Sequence, residues 1–135
     1  MKPVSINETN NPLGIQAKTP DCPDYLSPGA RVEWGRIAPF AVALGTYAGT
    51  DERALALCCE SLGQESILRG VLEREGYTVE TGAGGSKGHP AAKQLSDAQA
   101  RSTALLSSFG LTPASRKHMR LLAPGEPPAW RMNAI

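Results

Sequence analysis

The chain has 135 residues, 41% of them apolar and only 5% aromatic, so its size is that of a single domain whose core must be built mostly from Leu, Ala, Val and Ile. Three cysteines, two of them adjacent at Cys58 and Cys59, exclude both a disulfide framework and a zinc-type spacing, and a reducing cytoplasm is the expected setting. The net charge of +1 hides a split: residues 1–81 hold seven basic and eleven acidic side chains, a balance of −4, and residues 82–135 hold seven and two, a balance of +5.

Residues 1–21, with Pro3, Asn7, Asn10, Asn11, Pro12, Gly14 and Pro20 and little periodicity, read as a flexible N-terminal arm. No early apolar run resembles a signal peptide, and no stretch approaches a membrane span. Order is expected to begin near Cys22. Ser27 followed by Pro28 is a helix start, and Ala30, Val32, Trp34, Ile37 and Ala38 carry the helix to Pro39, where a kink or a division is expected. A short helical piece then runs from Pro39 to Leu44, and Gly45 to Thr50 forms a turn with Thr50 as the cap of the next helix.

From Asp51 to Glu75 the pattern is one long helix that Gly76 terminates, with Asp51 and Glu52 placed to favour the helix dipole. Gly63 in its middle costs about 1 kcal/mol relative to alanine, so it marks a bend or a close approach. Leu55, Leu57, Cys58, Leu62, Ile67, Leu68, Val71 and Leu72 cover too wide an arc for one stripe. Such a helix lies between two neighbours, one of which can belong to another subunit. Tyr77 to Thr81 is a short strand by composition, and the glycine cluster Gly82 to Gly88 is expected to turn the chain back into a small β-hairpin or glycine finger, the alternative being a disordered glycine loop, since Ser86 to His89 is a poor strand.

Pro90 opens a helix to Phe109 in which Ala91, Leu95, Ala98, Ser102, Leu105 and Phe109 recur at steps of three and four. This seam of small residues fits packing on the preceding helix or on a helix of another copy. Gly110 then suits a helix stop, and Thr112 caps a new helix with Pro113 at its first position. In that helix Arg116 and Arg120 share a face with Lys117 beside them, which suits a phosphate backbone. Residues 123–135, starting Ala123-Pro124-Gly125, form a C-terminal tail with Trp130, Met132 and Ile135 as apolar anchors for a partner. Residues 22–122 are thus the core of a mainly α protein.

Several chemistries lack their parts. The run Gly82-Ala83-Gly84-Gly85-Ser86-Lys87-Gly88 places Lys87 before Gly88, whereas a nucleotide P-loop needs a Gly-Lys pair followed by Ser or Thr. His89 and His118 have no metal-ligand spacing, and Cys58 and Cys59 sit mid-helix among leucines, where burial keeps a thiol protonated. No serine occupies a nucleophile elbow. The chain therefore reads as a non-enzyme without cofactor or metal. The positive argument is for nucleic acid: Lys87, Lys93, Arg101, Arg116, Lys117, Arg120 and Arg131 all lie in the cationic half, although a pI near 7.7 is far from that of a general DNA coater. The alternative role for Arg116 is helix capping or a salt bridge between subunits.

The segment Phe109-Gly110-Leu111-Thr112-Pro113-Ala114-Ser115-Arg116 resembles the small terminase subunits of tailed double-stranded DNA phages. Three further features of that resemblance stand upstream in order: Pro23-Asp24-Tyr25-Leu26 with Ala30 and Trp34, then Asp51 opening the helix that contains Cys58, then Gly76-Tyr77-Thr78-Val79 leading to His89-Pro90. Together they cover residues 22 to 121. The resemblance implies a helical subunit that closes into a homo-oligomeric ring in the host cytoplasm. It also implies binding of double-stranded viral DNA at the packaging-initiation site and delivery of that DNA to the large terminase subunit, which carries the ATPase and nuclease. One rival reading is a helix-turn-helix transcriptional regulator with residues 113–122 as its recognition helix, which forms a dimer on a palindromic site rather than a ring; a second is a structural or adaptor protein of the virion with no DNA affinity.

Overall fold

The computed structural model describes residues 18–117. Helix α1 spans Pro28–Leu44, α2 Glu52–Glu75, α3 Pro90–Ser108 and α4 Pro113–Arg116, with strands β1 Thr78–Glu80 and β2 Ser86–Gly88 between α2 and α3. The described chain is mainly α, and α1, α2 and α3 form an up-down-up array in which α2 lies between the other two.

Each helix begins and ends on the residues that local chemistry favours. The Ser27 hydroxyl accepts from the Ala30 amide, Pro28 fills the first helical turn, and Gly45 at φ 73° closes α1. Pro39 does not divide α1, which runs unbroken to Leu44. The reason lies in its face: Pro39 and Gly35 are both exposed, so the carbonyl that loses its amide partner turns to water, and Gly35 offers no side chain against the proline ring. Thr50 is not the cap of α2. The Asp51 carboxylate instead accepts from the Ala48 amide at 2.9 Å, closing a single 3₁₀ turn over Gly49–Asp51 that leads into the helix. Gly76 at φ 79° ends α2.

The core has two parts, one on each side of α2. The larger gathers Leu26, Ala30, Trp34, Ala38, Ala41, Tyr47, Leu55, Ala56, Cys59 and Phe109, with the Trp34 and Tyr47 rings meeting edge to face at 6.4 Å. The smaller joins Leu68 and Leu72 of α2 to Ala91, Leu95 and Ala98 of α3. Both neighbours of α2 therefore come from this same chain, and the small-residue seam of α3 is met by α2. Gly63 marks a close approach rather than a bend: a Cβ there would lie 3.0 Å from the Ala30 amide nitrogen and 3.1 Å from the Gly29 carbonyl carbon. Glu60, on the adjoining turn, accepts from the Ser27 amide at 2.8 Å and from its hydroxyl at 2.7 Å, so α2 anchors the start of α1 beside this crossing.

Strands β1 and β2 pair antiparallel with Val79 opposite Lys87, and Thr81 closes the turn by exchanging bonds with Gly85, while Gly84 takes φ 82°. His89 fastens the hairpin's base. Its Nδ1 accepts from the Ala91 amide at 3.0 Å, capping α3, and its Nε2 lies 3.3 Å from a Glu75 carboxylate oxygen at the end of α2. Before α1, Trp34 Nε1 donates to the Pro20 carbonyl and the Arg31 guanidinium donates to the Leu26 and Asp24 carbonyls, strapping residues 20–26 over the helix. The anchored chain thus starts slightly upstream of Cys22.

Candidate nucleic-acid interface

The sequence singled out the turn between α3 and α4, and this turn is built from both sides. Gly110 takes φ 71°, and the Gly110 and Leu111 amides donate to the Ser107 and Leu106 carbonyls, which closes α3. Phe109 is buried in the larger core, with Leu111 packed against it. Thr112 then caps α4: its hydroxyl accepts from the Ser115 amide at 3.3 Å, while the Ser115 hydroxyl receives the Thr112 amide at the same distance. Thr46, which no motif marks, holds the turn in place by donating to the Phe109 carbonyl at 2.7 Å. The bond joins positions 63 residues apart, and nothing local in the sequence announces it.

The cationic residues do not gather at one point. Lys87 is exposed on β2, and Lys93 is exposed in the first turns of α3, where its amine lies 3.6 Å from Asp97. An exposed pair of this kind is worth about 0–1 kcal/mol, so Lys93 remains free to exchange partners. Arg101, two turns further on and on the same face, is exposed and donates to Gln64 on α2 at 3.2 Å. Lys93 and Arg101 therefore form a stripe about 12 Å long on α3, interrupted by Asp97. At the far end Arg116 is half-buried and donates to the Gly110 carbonyl at 3.1 Å, the capping contact that competes with a phosphate for its guanidinium, whereas Lys117 is exposed. Arg120, Trp130, Met132 and Ile135 lie outside the described residues.

The two buried thiols, Cys58 and Cys59, lie on α2 rather than on this stripe. Burial pushes the Cys58 thiol up to about 11, helped by the Glu65 and Glu33 carboxylates, and pushes Cys59 up to about 12, with Cys58 and Glu33 adding to the effect. Both are protonated at neutral pH. Among the described residues no group of three His, Cys, Asp or Glu side chains is arranged around a metal position, and no helix is long and apolar enough to cross a membrane.

These features define a class: a small helical protein with a hairpin insertion, with Lys93 and Arg101 exposed along α3 and Arg116 and Lys117 after the turn that follows it. A family model described as phage terminase, small subunit, matches residues 30–126, and the chain belongs to that family. Membership gives it a role in phage DNA packaging. No curated protein and no solved structure matches the chain.

Proposed function

We propose that this chain binds double-stranded viral DNA at the packaging-initiation site as a homo-oligomeric ring and recruits or regulates the large terminase subunit, acting by recognition in the host cytoplasm without catalysis, cofactor or membrane. The observation that carries the reading is the family match over residues 30–126, which takes in α2, α3, all but the first two residues of α1, and the basic end. The charge distribution supports it, since Lys87, Lys93, Arg101, Arg116, Lys117 and Arg120 fall in a segment with a balance of +5. In this account residues 1–21 are an arm, residues 22–122 the core that oligomerises and binds DNA, and residues 123–135 a tail whose Trp130, Met132 and Ile135 engage the large subunit.

A ring repeats the stripe of Lys93 and Arg101 around its circumference, and avidity then raises an affinity that one subunit could not reach. Phosphate contacts position a duplex without reading its bases, so these cations supply affinity and register rather than sequence choice. The test is a fluorescence-anisotropy titration of a labelled duplex over a range of salt concentrations. Removing one cation that neutralises a phosphate should flatten the log–log salt dependence by about 0.9. The triple variant Arg116→Ala, Lys117→Ala, Arg120→Ala is expected to bind more weakly and with a shallower slope. Unchanged affinity and slope would remove these three residues from the interface.

A further inference from the structure

Two outward faces of the helical array carry large apolar side chains that nothing in the described chain covers. On α1, Val32 and Phe40 are 53% and 65% exposed, and they flank Arg36 at spacings of four residues, which puts all three along one side of the helix. On α2, Leu57 and Ile67 are 52% and 66% exposed. They belong to a run at 57, 60, 64, 67 and 71, with steps of three, four, three and four, that faces neither α1 nor α3 squarely. Between them stand Glu60 and Gln64. The other exposed aromatics, Tyr25 and Tyr77, lie on the strap before α1 and beyond the end of α2.

The two faces match in spacing and in charge. Val32 and Phe40 are about 12 Å apart along their helix and Leu57 and Ile67 about 15 Å along theirs. The α1 face has a cation between its apolar residues, and the α2 face has a carboxylate and an amide. Arg36 is mostly exposed and pairs only with Glu33 among the described residues, at 3.0 Å, so its fork retains donors for a second acceptor. Glu60 spends one lone pair of each oxygen on Ser27 and keeps others.

We propose that the α1 face of one copy of this chain packs on the α2 face of the next, with Val32 and Phe40 against Leu57 and Ile67 and with Arg36 directed at Glu60 and Gln64. The occupant of each face is thus a second copy. Because the two faces differ, the contact is head to tail, the type that builds a ring when its rotation closes. The inference rests on the ring reading given above and assigns the surfaces that would build the ring.

The test uses the full chain, with native mass spectrometry as the readout and circular dichroism as the check on helicity. The wild type is expected as a closed oligomer, and Val32→Glu and Ile67→Glu are each expected to fall to a single subunit with helicity retained. Mixing the two variants should give a dimer and nothing larger, because one intact α1 face and one intact α2 face remain between them. Arg36→Glu should lower the oligomeric fraction in the same way. Where a glutamate variant loses helicity, Val32→Ser and Ile67→Ser carry the same test.

An oligomeric wild type whose mass survives either substitution would overturn the proposal, as would a mixture that stays monomeric. Retained mass is also the result expected if residues 118–135 or another protein cover these faces. A monomeric wild type would instead overturn the ring reading itself.

Discussion

Replacing Gly63 by alanine tests the crossing on which the α1–α2 pair is built, and Gly70 in the same helix provides the control. Both substitutions fall inside α2 and gain about 1 kcal/mol of helix propensity. Their surroundings differ. At position 63 the new Cβ would meet the Ala30 nitrogen at 3.0 Å and the Gly29 carbonyl carbon at 3.1 Å, both of them backbone atoms of α1 or its first turn. Neither can rotate away, so the helices must part by about 0.5 Å to reach ordinary contact. Overpacking of this kind costs about 1–3 kcal/mol, which leaves Gly63→Ala between neutral and about 2 kcal/mol destabilised. At position 70 the Cβ meets only the end of the Arg74 side chain, at 3.3 Å, and the exposed guanidinium can move. Gly70→Ala is therefore expected to be stabilised by about 1 kcal/mol. Thermal unfolding by circular dichroism at one protein concentration should separate the two variants by about 1–3 kcal/mol, or at least about 4 °C for a domain this size. Equal melting temperatures would refute the reasoning, because they would mean that the crossing is loose enough to admit a methyl group.

The Ser102 hydroxyl is buried in the α2–α3 seam with no hydrogen-bond partner among the described residues, so Ser102→Ala should raise the stability measured by chemical denaturation by about 1 kcal/mol, and a destabilised variant would point to a partner for this group. His89→Ala removes the cap of α3 and should cost about 1 kcal/mol in chemical denaturation, whereas His89→Asn should recover most of it; an asparagine variant as unstable as the alanine one would shift the weight to Glu75. Cys58 and Cys59 should resist thiol reagents at pH 8 until the chain unfolds. Their thiols ionise near 9.0 when unfolded and only at about 11 and about 12 when folded, so the stability they confer is whole below pH 9 and is lost as pH rises toward 12. A denaturation midpoint that holds steady across that window would contradict the burial of these groups.

What could be read from the residues was what they settle with their near neighbours. Ser27 with Pro28, Gly45, Gly76 and Thr112 with Pro113 set helix ends within one turn of themselves, and each end falls where local chemistry puts it. Pro39 does not split α1 as expected, because the cost of its missing amide depends on whether the abandoned carbonyl faces water, which sequence does not state. Thr50 was displaced as a cap because Asp51 could reach back to the Ala48 amide. The return strand Ser86–Gly88 has poor strand composition and forms because the turn at Thr81 and Gly85 delivers it to β1.

Contacts between distant positions left no local trace. Ser27 with Glu60, Gln64 with Arg101 and Thr46 with Phe109 are separated by 33, 37 and 63 residues. For the candidate interface, the helix–turn–helix around Gly110 was legible, whereas the role of Arg116 as a donor to the Gly110 carbonyl depends on the turn's own geometry. The charge split identified the cationic half of the chain but not its layout along α3.

The central claim is that a small helical subunit with two unlike apolar faces completes its burial in a closed assembly that presents cations to DNA. Native mass spectrometry of the purified full chain, alone and with a duplex fragment, tests it most directly. The account predicts one discrete oligomeric mass, and one further mass that differs from it by a whole number of duplexes and dissociates as salt is raised. A folded single subunit with no duplex bound in dilute buffer would contradict it.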